Sequence, residues 1–303
     1  MATETKNLAT VARVSFRESA HVRRALLQTA AYTALIGLGI VFLIPFLWAL
    51  TSSLKKLDGV YAYPPTFLPK APQWQNYVIA MSELPFGRFL VNSLIITLST
   101  TLGQLVSGSL VAYSFAQLRW PGRDVMFLVL LSTMMLPAQV TMIPTFVMWT
   151  HIPRLTGLQI GVGTMWPLII PGFFGGSAVY IFLMRQFFKG IPIELEEAAR
   201  LDGCSRLGVF ARVILPLSKP VLATVGVLAF IGHWHDFMGP LIYLESVETY
   251  TLQLGLRMFQ TFEGSFMHYL MAASMIVLAP VLVLFFLAQK YFVQGIQLSG
   301  IKG

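Results

Sequence analysis

Hydrophobic residues in this chain come in long, nearly uncharged runs. Ala25–Leu54, Phe89–Leu118, Val125–Pro153 and Leu155–Met184 hold no Asp, Glu, Lys or Arg. Pro220–His235 is a fifth run; it meets Asp236 and continues through Phe237–Leu244. Gly264–Gln289 is the sixth. A bilayer core takes about 20 apolar residues per helix, so each run predicts one membrane span. A transmembrane barrel would need short alternating segments, and too few are present. The expected fold is all-α and integral to the membrane, with six transmembrane helices.

Composition sharpens that expectation. Of 303 residues, 56% are hydrophobic and 11% charged, against roughly 25% charged in an ordinary soluble domain. This excludes a soluble enzyme, a disordered chain and a fibrous protein. The single cysteine, Cys204, excludes a disulfide framework and any cysteine-rich metal site. It is expected to be a free, inert thiol. The net charge of +8 would suggest nucleic acid in a soluble protein. In a polytopic chain, basic residues sort instead to the cytoplasmic connections, and no nucleic-acid partner is expected.

An even number of spans puts both termini on one side. With the N-terminus inside, fifteen of the 21 Lys and Arg fall in inner segments, among them Arg23, Arg24, Arg119, Arg123, Arg185, Lys189, Arg200, Arg206 and Arg212. Six, namely Lys55, Lys56, Lys70, Arg88, Arg154 and Arg257, fall outside. Both termini are therefore expected in the cytoplasm. The first run is too long for a signal peptide and has no small-residue cleavage site, so it reads as an uncleaved helix. The outer connection Lys55–Gly87 holds Pro64, Pro65, Pro69, Pro72 and Pro85, which predicts an extended cap rather than a helix. Arg119–Asp124 is a short inner turn around Pro121-Gly122, and Tyr243–Glu263 is an outer connection.

The longest inner connection, Arg185–Lys219, carries the strongest local pattern. Residues 190–216 read GIPIELEEAARLDGCSRLGVFARVILP and are too charged to span. Pro192 suits a first helical turn. Glu194, Glu196 and Glu197 suit the positive end of a helix dipole. Glu196 and Arg200 are four apart and can pair. Leu195, Ala198 and Ala199 share a face. Gly203, after Asp202, predicts a left-handed stop, and Ser205 the cap of a second helix. Phe210, Val213, Ile214 and Leu217 then form an apolar stripe that ends near Pro216. The residues alone leave two readings open: a packing cap on the bundle, or a docking element.

Glu197-Ala198-Ala199, then Gly203, then Val213-Ile214-Leu215-Pro216 resembles the EAA loop of ABC-importer membrane subunits, with valine where isoleucine is usual. Further segments are similar to the carbohydrate-uptake class, including maltose-type smaller permease subunits: Asn76-Tyr77, Pro137 and Pro144 interrupting the third span, Trp234-His235-Asp236-Phe237 (with His235 in place of asparagine), Tyr250-Thr251-Leu252, Gly255-Leu256, Phe292-Val293-Gln294-Gly295 and Gly300–Gly303. The resemblance implies a type I ABC-importer permease fold. It implies that Glu197, Ala198, Ala199, Asp202, Gly203, Leu215 and Pro216 couple the chain to a cytoplasmic ATPase. It also implies that Gln260, Thr261 and Phe262 meet an extracytoplasmic solute-binding protein.

The remaining candidates are weaker. The chain has no P-loop and no zincin or nucleophile-elbow motif, so no catalytic residue, bound metal or resident cofactor is expected; ATP and Mg belong to the partner ATPases. His233 and His235, two apart, point to different sides of a helix and do not suit a metal pair. Asp236 suits either the substrate path, with Trp234, or a structural hydrogen bond. Gln139 and Thr141, between Pro137 and Pro144, suit either solute contact or backbone pairing. Gly172 and Gly176 suit close helix packing.

The expected organisation is a cytoplasmic segment 1–24, a first span with its outer loop over 25–87, a transmembrane core over 88–290 that includes the EAA loop 190–216, and a cytoplasmic tail 291–303. The expected function is the permease subunit of an ATP-driven importer in a prokaryotic inner membrane, moving a sugar or oligosaccharide by alternating access. Its expected partners are a second, homologous permease subunit forming a heterodimer, two ABC ATPases, a solute-binding protein and the lipid bilayer. The alternatives are an importer subunit for a polyol or glycerol phosphate, or an ion-coupled secondary transporter, which would carry more buried charge than Asp236 alone. A membrane enzyme lacks the necessary cluster of His, Asp or Glu.

Overall fold

A computed structural model describes residues 2–261 and 264–300, with side chains from Arg23 to Gln260 and from Phe266 to Gln289. Phe262 and residues 301–303 lie outside the described residues, as do the side chains of Thr261 and of the tail from 290. The chain divides into two units, Met1–Gln73 and Trp74–Gly303.

The first unit is built on α1 (Ala2–Ser53), whose apolar part Arg23–Ser53 is long enough to span and has no buried residues within its most apolar window. After it comes one turn, α2 (Leu57–Val60). The proline-rich segment folds back: the Gln73 N–H donates to Leu54 O at 2.9 Å. The Lys55 ammonium donates to Thr66 O and lies 4.4 Å from the Trp48 ring centroid. Burial pushes its pKa below the ordinary lysine value.

The second unit begins with α3 (Gln75–Ser82), so the 55–87 connection is not extended throughout. Its prolines cluster at 64–72 and leave 73–84 free to coil. The central element is α4 (Phe86–Gln117). Half of its most apolar window is buried, the largest share of any span. Asn92, Ser93, Thr97, Thr100, Thr101, Gln104 and Ser109 are all buried along it. Small and polar side chains let neighbouring backbones approach and supply hydrogen bonds where lipid supplies none.

The third predicted span is two helices. α5 (Arg123–Ser132) runs through a 3₁₀ turn at Thr133–Met135 and meets α6 (Ala138–Thr156) at a bend of 100°. Pro137 stands at the break, but Pro144 lies inside α6. The helix continues past Pro144 while threonines nearby occupy carbonyls: Thr145 Oγ1 donates to Thr141 O at 2.8 Å and Thr141 Oγ1 to Ala138 O at 3.1 Å. The fourth span comprises α7 (Trp166–Ile169), a 3₁₀ turn Ile170–Phe173, and α8 (Ala178–Lys189).

The 190–216 connection folds as α9 (Ile193–Leu201), α10 (Arg206–Val209), a π turn Phe210–Ile214 and α11 (Leu215–Leu217). A 79° bend then leads into α12 (Lys219–Trp234). α13 (Met238–Tyr243) and α14 (Leu252–Met258) follow. β1 (Gln260–Thr261) pairs antiparallel with β2 (Gly264–Ser265), and α15 (Met267–Gly300) closes the described chain. Among the described residues, four helices are long and apolar enough to cross a membrane, or six when each bent pair is one span.

Among the described residues, three apolar clusters hold this unit, the smallest joining Ile96, Ile169, Leu244 and Leu254. Of the two larger, one joins Tyr113, Met184, Phe188, Val209, Phe210, Ile214 and Val225, so the 190–216 connection is packed into the bundle. The other joins Phe86, Phe89, Trp234, Leu252, Ala272 and Val277.

Candidate functional site

The 190–216 connection is a helix–turn–helix. Pro192, with ψ of 132°, caps α9 from just outside it rather than sitting in its first turn. At the far end the Gly203 N–H donates to Arg200 O and the Cys204 N–H to Ala199 O, both at 3.0 Å. That pair of bonds is the Schellman stop, and Gly203 holds φ at +86° as it requires. No atom lies within 4 Å of where a Cβ would sit, so the dihedral rather than space demands glycine. Ser205 Oγ accepts from the Gly208 N–H at 3.1 Å, capping α10 as its sequence predicts.

Beyond the turn, the outcome differs from the expected stripe. The π turn adds a residue to one helical turn. Val209, Phe210, Ile214 and Ser218 therefore face inward, and Leu217 rotates out to 48% exposure. Tyr113 Oη, 3.4 Å from Arg206 O, and Gln117 Nε2, 2.8 Å from Phe188 O, tie the connection's neighbourhood to the end of α4.

Glu196 and Arg200 do not form the ion pair that their spacing allows. The Glu196 side chain turns inward, is 6% exposed and leaves Oε2 without a hydrogen-bond partner, while Arg200 stays on the surface. It borders a polar cavity of about 240 Å³ shared with Gln117, Arg119, Glu197 and Arg206. Facing outward are Glu197, Ala198, Asp202, Gly203 and Pro216, whereas Ala199 and Leu215 are half-buried. Leu201 and Leu207, 90% and 69% exposed, flank the turn. Sequence reasoning passed over both. Their signal was a leucine on the side of each short helix opposite the buried residues.

The pathway candidates are not brought together. Gln139 and Thr141 are exposed on α6. Trp234 is 2% exposed, stacks on Phe230 and donates its indole N–H to Val277 O at 3.1 Å. Asp236 Oδ1 accepts from the Gly239 N–H at 3.1 Å. Trp234 and Asp236 border one small cavity with Ser93, Thr97, His233 and Thr251. The structure also brings residues of α4 not singled out before, Gln104, Thr100 and Ser107, against His233 and the Gly172–Gly176 segment. Gln104 Oε1 lies 3.1 Å from His233 Nε2, at the level where the fourth span breaks. A Cβ on Gly176 would fall 2.2 Å from Gln104 Cγ, and one on Gly172 2.8 Å from Thr100 O. The close packing expected of those glycines is thus present, in a broken segment rather than a continuous helix. Ser107 bridges that break, donating to Gly172 O at 2.9 Å and accepting from the Gly175 N–H at 3.0 Å. A glutamine and a histidine inside uncharged runs were the available signal.

At the other end of the bundle, Asn92 Nδ2 donates to Glu248 O and Tyr250 O at 2.8 and 2.9 Å, anchoring the 243–263 connection to α4. The Glu248 carboxyl is held below the usual range by its own backbone N–H and the Ser246 hydroxyl. Gln260 stands at the start of the hairpin, with Arg257 donating to its Oε1. Among the described residues, no group of three or more His, Cys, Asp or Glu is placed to hold a metal.

Spans broken at proline and glycine, a polar central helix and a helix–turn–helix between two spans are the makings of a membrane transport component. The family model described as "Binding-protein-dependent transport system inner membrane component" matches residues 104–298, and the chain belongs to that family. It is a multi-pass inner-membrane permease component of ABC importers, and ATP hydrolysis in such systems resides on a separate subunit. The chain is 30% identical over 269 residues to the arabinooligosaccharides transport system permease protein AraQ of Bacillus subtilis (strain 168), covering 88% of this chain and 92% of that one. It is 34% identical over 282 residues to the sn-glycerol-3-phosphate transport system permease protein UgpE of Escherichia coli O157:H7, covering 90% and 97%. A chain from the crystal structure of a bacterial ABC transporter involved in the import of the acidic polysaccharide alginate matches with a TM-score of 0.74 and 26% identity, covering 88% and 96%.

Proposed function

We propose that this chain is one of two homologous permease subunits in an importer of a sugar or oligosaccharide. The observation that carries this reading is the 190–216 helix–turn–helix: it is packed into the bundle at Val209 and Ile214 and presents Glu197, Ala198, Leu201 and Asp202 outward. An element with one face in the core and the other bare is suited to passing motion from an outside partner to the spans. In this reading the connection and both termini are cytoplasmic, Glu197 to Gly203 and Leu215-Pro216 seat on one of two ATPases that bind ATP and Mg, and the tail 291–303 reaches the same side. The hairpin at Gln260 and Thr261 meets a solute-binding protein on the opposite side. Solute passes on the face of α6 that includes Gln139 and Thr141, while Trp234 and Asp236 act from the separate small cavity they border. The likeness to AraQ supports an oligosaccharide as cargo.

The likeness to UgpE supports a second reading, with a glycerol phosphate as cargo. Uptake by the reconstituted complex, with ATP inside proteoliposomes and binding protein added, separates them. An arabino-oligosaccharide is expected to compete for uptake and glycerol 3-phosphate is not; the reverse pattern selects the second reading. Uptake by this chain alone under a proton or sodium gradient would overturn both.

A further inference from the structure

The turn between α4 and α5 carries charge that solute transport does not use. Residues 118–122 join two apolar helices, so they lie where the hydrocarbon layer meets water. An open cleft there is lined by Arg119, Trp120, Gly122, Arg123, Asp124 and Val125. Two more cations stand at the end of α8. Arg185 Nη2 is 4.0 Å from Asp124 Oδ1, and Lys189 stands one helical turn beyond Arg185 on α8, on the same face.

The charges do not balance. Asp124 is held by Arg123, whose Nε lies 3.1 Å from Oδ1. Arg185 is occupied within the bundle: its Nε donates to Phe115 O at 3.2 Å, and its guanidinium lies 3.7 Å from the Phe127 ring centroid. Arg119 and Lys189 are exposed and make no hydrogen bond or ion pair among the described residues. Arg119 also borders the cavity of Glu196 and Glu197, whose lining holds Arg200 and Arg206 as well, so cations outnumber carboxylates there too. Immediately past the cleft, α5 exposes Val125, Met126, Leu128 and Val129.

Surplus guanidinium and ammonium groups at the interface, continuous with a bare apolar helix face, match an amphiphilic anion. Guanidinium groups fit phosphate oxygens, and basic pockets at the membrane surface favour anionic headgroups. We propose that this cleft binds the phosphodiester headgroup of an anionic phospholipid, with its acyl chains along α5. A free phosphate would use the charge but not the apolar face. A docked protein segment would leave Val125–Val129 to lipid without reason for the continuity.

Native mass spectrometry of the purified full chain tests this, titrating phosphatidylglycerol, phosphatidylcholine or inorganic phosphate. Phosphatidylglycerol adducts are expected at concentrations where phosphatidylcholine and phosphate give few. Each cation near an anionic surface is worth about fivefold in affinity, so Arg119→Gln with Lys189→Gln should weaken phosphatidylglycerol binding by on the order of tenfold or more and leave phosphatidylcholine adducts unchanged. Equal phosphatidylglycerol and phosphatidylcholine binding by the unaltered chain overturns the proposal without need of any variant. So does phosphate binding as strong as phosphatidylglycerol, which marks a free-anion site. Undiminished phosphatidylglycerol binding in the double variant, with loss of a co-purified partner, makes the cleft a protein contact instead.

Discussion

Gly203 shows how one dihedral can govern a docking element. A side chain in the left-handed region costs roughly 1–2 kcal/mol, and a β-branched one is worst placed there. Because no atom crowds the position, Gly203→Val should leave the bundle inserted and tilt α9 against α10. We expect normal membrane abundance, weakened co-purification of the ATPase and lost uptake, with Gly203→Asn milder because asparagine visits αL more readily. Glu197→Lys should give the same phenotype through reversed charge on an exposed face. Wild-type uptake by both Gly203→Val and Glu197→Lys would reduce the connection to a cap. Gly172 represents the other kind of constraint, space rather than angle. A methyl there meets the Thr100 backbone oxygen at 2.8 Å, which a rotamer change cannot relieve. Gly172→Ala should lower the thermal unfolding midpoint in detergent, equivalent to about 1–3 kcal/mol of overpacking; an unchanged midpoint would show that the break can slide.

At the scale of elements, each departure from a straight helix has a local cause. Pro137 removes a donor at the α5–α6 bend, and the paired prolines Pro216 and Pro220 flank the 79° bend at Ser218. The π turn at Phe210–Ile214 rotates the helix that follows and so buries Ser218 in place of Leu217. The hairpin Gln260–Ser265 stands at the end of a connection anchored by Asn92. If it is the binding-protein contact, a cysteine at Gln260, in a Cys204→Ser background, should crosslink to that protein. Deleting Thr261–Gly264 should then abolish stimulation of the ATPase by binding protein. Unchanged stimulation would make the hairpin a simple connector.

For the whole molecule, the basic residues predict an orientation that labelling can check. With Cys204 replaced by serine, single cysteines at Ser205 and Thr249 should react from opposite faces of the membrane, Ser205 from the cytoplasm. Labelling from one face would break the six-span arrangement, leaving one bent pair as a re-entrant loop. The bent pair between these two sites makes this a real question, since the helices on either side of Ser218 diverge by 79°.

The apolar runs were legible because a bilayer imposes length and composition on every span; α4 and α8 end within a few residues of where the charges resume. The Gly203 stop and Ser205 cap were legible because they depend on backbone chemistry within a few residues. Glu196 turned inward, Leu217 turned outward and Gln104 meeting His233 were not. Each depends on which face of a helix another element covers. A π turn shifts that face by one residue without altering the apolar pattern, and a pair 129 residues apart in sequence leaves no local trace. The places of the apolar runs and of the helix–turn–helix thus follow from local solvation and backbone limits. The polar face of α4 and the buried Glu196 carboxylate follow from packing, where desolvation is set by neighbours distant along the chain.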